Sequence, residues 1–221
     1  MKLGLFGGTF NPIHNGHIKV ICHVKQKFGL NEIYVIPSAL PPHKPDINLA
    51  AANDRLKMVR CAIKNIPGLA ASDIEIKRTG PSFTIDTINQ LQKNISCHSA
   101  AIKTELYLIM GSDAFFDIPT WKKTIEIFSQ VPVIVMIRAG EKRNINNLAS
   151  LIKDMISDKY YYDRNSNSFQ NPGMKTIYIH KAPDIAISST MIRRRVQNHL
   201  SISSMVQPCV EKIIKEKGLY L

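Results

Sequence analysis

The chain has 221 residues, 44% hydrophobic and 21% charged, which is a globular composition long enough to bury a sizeable core and excludes extended disorder. No run approaches the ~18 apolar residues needed to cross a bilayer, and no secretory leader opens the sequence, so a cytoplasmic protein is expected. A net charge of +12, from 29 Lys and Arg against 17 Asp and Glu, suits an anionic partner.

In chain order, Leu3 to Phe6 reads as a short buried strand that runs into Gly7 and Gly8, where the backbone can turn sharply and approach a ligand closely. Ile18, Ile21, Val24 and Phe28 then follow a helical spacing, so His14 and His17 stand where a helix begins. Exposed N–H groups and the positive end of a helix dipole attract phosphate there, and two imidazoles add donors for a charged phosphorus centre. A zinc pair lacks its usual partners, since no C-x-x-C or H-E-x-x-H accompanies the two histidines. No metal site is therefore expected. The Walker and dinucleotide glycine patterns are absent as well.

A second strand is predicted at Glu32 to Ile36, followed by the proline-rich loop Pro41-Pro42-His43-Lys44-Pro45. Leu56, Val59 and Ile63 fit a helix, on which Arg55 reads as a phosphate contact or a surface charge. Ile74 to Ile76 fits a short strand, and Ile85, Ile88, Leu91 and Ile95 a helix starting near Thr84. Leu106 to Met110 is predicted as a buried central strand that delivers Gly111-Ser112-Asp113 to its carboxyl end, where open α/β sheets place ligands. Trp121, Ile125 and Phe128 read as one helical stripe, and Val131 to Ile137 as a strand with Arg138 at its end.

Residues 141 to 175 read as a surface excursion, with a helix around Leu148 to Ile156 and a Tyr, Asn and Ser-rich loop from 160 to 173. A last strand at Thr176 to Ile179 leads to Ile187-Ser188-Ser189-Thr190-Met191-Ile192-Arg193, and Ile192, Val196 and Leu200 mark a helix. The final helix is predicted from about Pro208 to Gly218. Strands alternating with helices predict a doubly wound, Rossmann-like α/β fold, a parallel sheet with helices on both faces, built as a single domain over residues 1–221. Cys22, Cys61, Cys97 and Cys209 lack paired spacing and are expected as reduced thiols.

Ser188, Ser189 and Thr190 form an N-cap cluster whose hydroxyls can also hold phosphate, and Arg193 lies one turn further along. Arg194 and Arg195 point elsewhere, because each helical step turns about 100°. The pair of segments, G-G-T-F-N-P-I-H-N-G-H from Gly7 and I-S-S-T-M-I-R from Ile187, resembles the paired signature of the nucleotidyltransferase superfamily. Pro41-Pro42-His43-Lys44, Ser82-Phe83-Thr84, and Gly111-Ser112-Asp113 with Pro119-Thr120-Trp121 make the chain similar to bacterial nicotinate mononucleotide adenylyltransferases over essentially its full length.

That resemblance implies transfer of AMP from ATP to nicotinate mononucleotide, with Mg²⁺ arriving on the ATP phosphates. It implies His17 at the α-phosphate with His14 beside it. Gly8, Thr9 and Phe10 would cradle the nucleotide, Ser189, Thr190 and Arg193 would hold the ATP phosphates, Gly111 would line the ATP site, and Asp113 would accept hydrogen bonds from a ribose. On the acceptor side it points to Lys44 for the phosphate, Trp121 for a stack under the pyridine, Thr84 for the carboxylate, and Arg138. Nicotinamide mononucleotide or another phosphate acceptor on the same scaffold is the alternative within the enzyme class. Outside it stands a basic nucleic-acid-binding protein, although basic clusters occur only at Lys122-Lys123, Lys142-Arg143 and Arg193-Arg194-Arg195, and no ribonucleoprotein motif or zinc finger is present.

Overall fold

The computed structural model describes residues 1–40, 49–98, 103–137, 145–183 and 185–221. The chain forms two compact units, one of Met1–Phe6 with Phe83–Asp184 and the other of Gly7–Ser82 with Ile185–Leu221.

In the first unit the strands lie in the order β1 (Lys2–Gly8), β4 (Glu105–Gly111), β5 (Val133–Ile137), β8 (Ile177–Lys181), β7 (Ser168–Gln170) and β6 (Tyr161–Asp163). The first four run parallel, with Leu3 opposite Leu106, Leu108 opposite Val133 and Val135 opposite Ile179. Every residue from Leu106 to Met110 is buried, which explains why β4 reads as a continuous apolar run: a parallel strand covered on both faces has no solvent side to alternate with. Helices α3 (Thr84–His98), α5 (Thr124–Gln130) and α6 (Ile145–Met155) turn Ile85, Ile88, Ile127, Phe128, Leu148 and Ile152 inward.

In the second unit β2 (Glu32–Pro37) pairs in parallel with β3 (Leu69–Ala71). Helix α1 (Asn15–Phe28) buries Ile18, Ile21 and Val24 and stops at Gly29, whose φ of 60° is the left-handed cap that a residue with a Cβ resists. Helix α2 (Ala52–Ile63) packs on α8 (Pro208–Glu216), bringing Leu56, Val59, Val210 and Ile214 into the core. Proline at the first turn of α8 fits a position whose N–H has no intrahelical partner. The chain is thus an α/β protein whose sheet is mostly parallel and flanked by helices. Among the described residues no helix is long and apolar enough to cross a membrane, and the four cysteines are free thiols.

Four local expectations are corrected. The strand foreseen at Ile74 to Ile76 lies earlier, at Leu69–Ala71; residues 73–78 coil into a turn closed by the Lys77 N–H on the Asp73 carbonyl. The polar stretch from 160 to 173 is not irregular, because β6 and β7 form an antiparallel hairpin that extends the sheet from β8. Trp121 precedes α5 instead of sharing its stripe, and Ile125 is 59% exposed. Leu200 lies beyond α7 (Ser189–Gln197) and faces solvent, since the Leu200 N–H closes on the Arg195 carbonyl as the helix ends.

Candidate active site

In the second unit, β1 ends at Gly7 and Gly8 and the chain passes through Thr9 to Ile13 into α1. Phe10 holds a φ of 48°, a conformation disfavoured for a bulky side chain, and its ring packs so closely over Gly8 that a Cβ there would lie 3.0 Å away. A side chain at position 8 would therefore press on the Phe10 ring, which glycine lets lie close over the backbone.

The two histidines cap α1 reciprocally. His14 is the N-cap, and its Nδ1 accepts the His17 N–H at 3.3 Å while the Nδ1 of His17 accepts the His14 N–H at 3.2 Å. Their rings stack 3.7 Å apart, with Phe10 edge-on to His17 at 5.2 Å. A nitrogen that accepts a backbone N–H carries no proton, so each neutral imidazole holds its proton on Nε2 and offers it as a donor. Gly16 permits this stack, because a Cβ at that position would sit 2.9 Å from the Nδ1 of His14. His14 is buried and His17 half-buried.

The second motif meets the first directly. Ser188 caps α7 by accepting the Met191 N–H at 3.1 Å. Ser189 Oγ donates to the Pro12 carbonyl at 2.9 Å, and Arg193 Nη1 to the Asn11 carbonyl at 2.9 Å, with Nη2 3.3 Å from Thr190 Oγ1. The helix N-terminus, a hydroxyl cluster and a guanidinium are thereby fastened beside the histidine pair.

Three residues in this unit play parts that sequence reasoning missed or misread. Arg55 is fully buried, which rules out a surface charge. Its guanidinium donates to the carbonyls of Ala50 at 2.9 Å, Thr9 at 2.8 Å and Ala39 at 3.1 Å, one bond from each nitrogen, so it ties three backbone segments together. Burial lowers its pKa, with the nearby Tyr220 opposing that shift. The signal was available, since Arg55 precedes Met58 and Val59 by three and four positions and so shares their inward face. Asn11 Oδ1 accepts both the Ala50 N–H at 3.0 Å and the Tyr220 hydroxyl at 2.8 Å.

In the first unit, Gly111 ends β4 and opens α4 (Ser112–Phe116). A Cβ on Gly111 would fall 2.4 Å from the Asp113 carboxylate, so the glycine allows that side chain to fold back over the strand end. Thr84 begins α3 and is half-buried, as is Trp121, which follows a short 3-10 turn over Ile118–Thr120. Lys122 joins the two regions: it pairs with Asp86 at 3.0 Å and lies 4.8 Å from the centre of the Phe83 ring. Lys123 pairs with Glu126 at 2.9 Å, so the Lys122-Lys123 cluster is largely neutralised locally and makes no bare basic patch. Lys44, Arg138 and the Lys142-Arg143 cluster lie outside the described residues.

Residues 5–195 match the Cytidylyltransferase-like family model. The chain is 38% identical to a probable nicotinate-nucleotide adenylyltransferase of Desulfatibacillum aliphaticivorans, all of both chains being covered. It is 37% identical to one of Geobacter sp. strain M21, covering 100% of this chain and 99% of that one. Among solved structures it is similar to the Plasmodium falciparum nicotinic acid mononucleotide adenylyltransferase. The complex with NaAD has a TM-score of 0.72 at 20% identity, covering 99% of this chain and 97% of that one. The complex with APC has a TM-score of 0.71 at 19% identity, covering 99% and 96%. At such identities the likeness to the Plasmodium structures speaks for the fold, whereas the full-length bacterial relatives identify the family. The chain belongs to the cytidylyltransferase-like family and, within it, to the nicotinate-nucleotide adenylyltransferases.

Proposed function

We propose that the protein transfers AMP from ATP to nicotinate mononucleotide, releasing pyrophosphate and forming nicotinate adenine dinucleotide in NAD biosynthesis. The observation that carries this reading is the direct union of the histidine cap of α1 with the N-terminus of α7 through Pro12 and Asn11. An oxygen of the mononucleotide phosphate attacks the α-phosphorus of ATP, the bond from that phosphorus to the bridging oxygen breaks, and pyrophosphate leaves with the electron pair. Such a reaction needs in-line placement and neutralisation of charge, and no covalent intermediate on the protein.

In this scheme the Nε2–H of His17 donates to the α-phosphate as charge builds, with His14 beside it, and the backbone of Gly8, Thr9 and Phe10 lies along the nucleotide. The Thr190 hydroxyl, the backbone N–H of Ser189 and Arg193 receive the remaining ATP phosphates, where the dipole of α7 adds to the guanidinium, while the Ser189 hydroxyl stays on Pro12. Mg²⁺ arrives on those phosphates; among the described residues no group of three or more His, Cys, Asp or Glu is placed to hold a metal. Asp113, whose carboxylate folds back over Gly111, accepts hydrogen bonds from a ribose. For the acceptor, Thr84 and Trp121 serve the pyridine, and Lys44 and Arg138 its anionic groups. An ATP-consuming reaction by a chain with four free thiols also suits the cytoplasm. Incubation with ATP, Mg²⁺ and nicotinate mononucleotide tests the reading: dinucleotide and pyrophosphate should appear in equal amounts, and ATP consumption without dinucleotide would refute it.

Trp121→Ala separates stacking from packing. Trp121 is only half-buried, so its loss should lower the melting temperature far less than the truncation of a core tryptophan. A base–aromatic stack contributes ~1–3 kcal/mol, so KM for the mononucleotide should rise roughly ten- to a hundredfold while KM for ATP stays near normal. A large fall in melting temperature with both constants unchanged would place Trp121 in the core.

A further inference from the structure

Tyr220 is held inward by a turn that an aromatic residue seldom adopts. Its φ is 66°, following Gly218 at 57°, and both the Gly218 N–H on the Lys215 carbonyl and the Leu219 N–H on the Ile214 carbonyl fix the bend after α8. Lys217 anchors the same segment through an ion pair with Asp54 at 2.5 Å. The strained turn delivers a phenol that is 7% exposed to Asn11, which is itself buried. A buried hydroxyl needs a partner, and here it donates to Asn11 Oδ1, whose second lone pair takes the Ala50 N–H. Burial raises the phenol's pKa, so Tyr220 remains a donor throughout the physiological range.

Asn11 is where the loop and α7 join, since its own carbonyl receives Arg193 and the next carbonyl receives Ser189. A shift of the Asn11 backbone therefore moves the Arg193 clamp and the chain leading into His14 together, and the two bonds to Oδ1 hold Asn11 against such a shift. We infer that Tyr220 is a positioning residue for nucleotidyl transfer, acting through Asn11 to align the histidine loop with Arg193. The inference rests on the proposed function for its reaction but not for its geometry.

Tyr220→Phe deletes the one hydroxyl and keeps the ring. The expected result is a kcat lowered about tenfold with KM for both substrates little changed, because misalignment of groups that act on the transition state appears mainly in kcat. In an Asn11→Ala background the same change should have no further effect, whereas a merely structural Tyr220 would add its own loss. Lys217→Ala loosens the same segment at an exposed ion pair and should leave kcat within about twofold. Side-chain ¹⁵N spectra of His14 and His17 read the loop without turnover: their signals should move in Tyr220→Phe and stay in Lys217→Ala. An unchanged kcat and unchanged histidine signals in Tyr220→Phe, or losses that multiply in the double variant, would overturn the inference. A wild-type protein that makes no dinucleotide would instead overturn the functional reading, and the histidine spectra would still decide the role of Tyr220.

Discussion

His17→Ala is expected to lower kcat by roughly a hundredfold or more, the usual cost of removing one preorganised donor from a developing charge. The fold should survive. The ring of His17 is half-buried, and its structural duty is to accept the His14 N–H, a capping contact worth about 0.5–2 kcal/mol. The two duties reside on different nitrogens and can be separated. Asparagine carries an acceptor close to the Cα, near the place of Nδ1, but nothing that reaches as far as Nε2. His17→Asn should therefore recover most of the stability lost in His17→Ala and none of the turnover. Turnover within a few-fold of wild type in either variant would remove His17 from the chemistry, and thermal unfolding of His17→Ala at moderate temperature would make it a core residue.

Arg55→Ala should destabilise the second unit by about 3–5 kcal/mol, the range for removing a large, fully buried side chain together with its hydrogen bonds. Three carbonyls, of Thr9, Ala39 and Ala50, lose their donor at once, and a fully buried side chain of α2 leaves a cavity. Arg55→Lys keeps the charge and most of the volume, yet an ammonium on a flexible stem cannot reproduce the planar fork that meets three acceptors. It should recover only part of the loss. Because Arg55 holds the Thr9 carbonyl beside the histidine loop, residual folded protein should also turn over slowly. A denaturation midpoint indistinguishable from wild type in Arg55→Ala would mean that the guanidinium is a solvated surface charge.

Most elements were legible in the sequence because burial leaves a period. Ile85, Ile88 and Leu91 repeat with the helix and are all buried in α3, and the short unbroken run from Leu106 to Met110, ending at Gly111, suits a strand covered on both sides. The hairpin of Tyr161–Asp163 and Ser168–Gln170 was hidden because its ladder is three residues long and its side chains are largely polar. Asn167, at a φ of 48°, marks the turn, a placement that asparagine tolerates but sequence alone does not announce. Ile74 to Ile76 misled because an apolar pair suggests a strand, whereas β3 uses Leu69 with two alanines and owes its position to backbone pairing with β2. Of the site, the residue types that chemistry demands were readable: the glycines, the histidine pair, and the hydroxyl cluster with its arginine. The supports were not. Asn11, Arg55 and Tyr220 act through backbone carbonyls and a side-chain amide up to 209 positions away, and no local pattern records such a contact.

The most direct test of the account is the ratio of kcat/KM for nicotinate mononucleotide to that for nicotinamide mononucleotide, measured by pyrophosphate release with ATP and Mg²⁺. The two acceptors share ribose and phosphate and differ in a carboxylate against a carboxamide. A site that pairs donors with the carboxylate leaves them poorly matched to the amide, a loss on the order of 2 kcal/mol or more and hence at least about thirtyfold in rate. A clear preference for the nicotinate form is expected; equal values, or a preference for the nicotinamide form, would contradict the assignment.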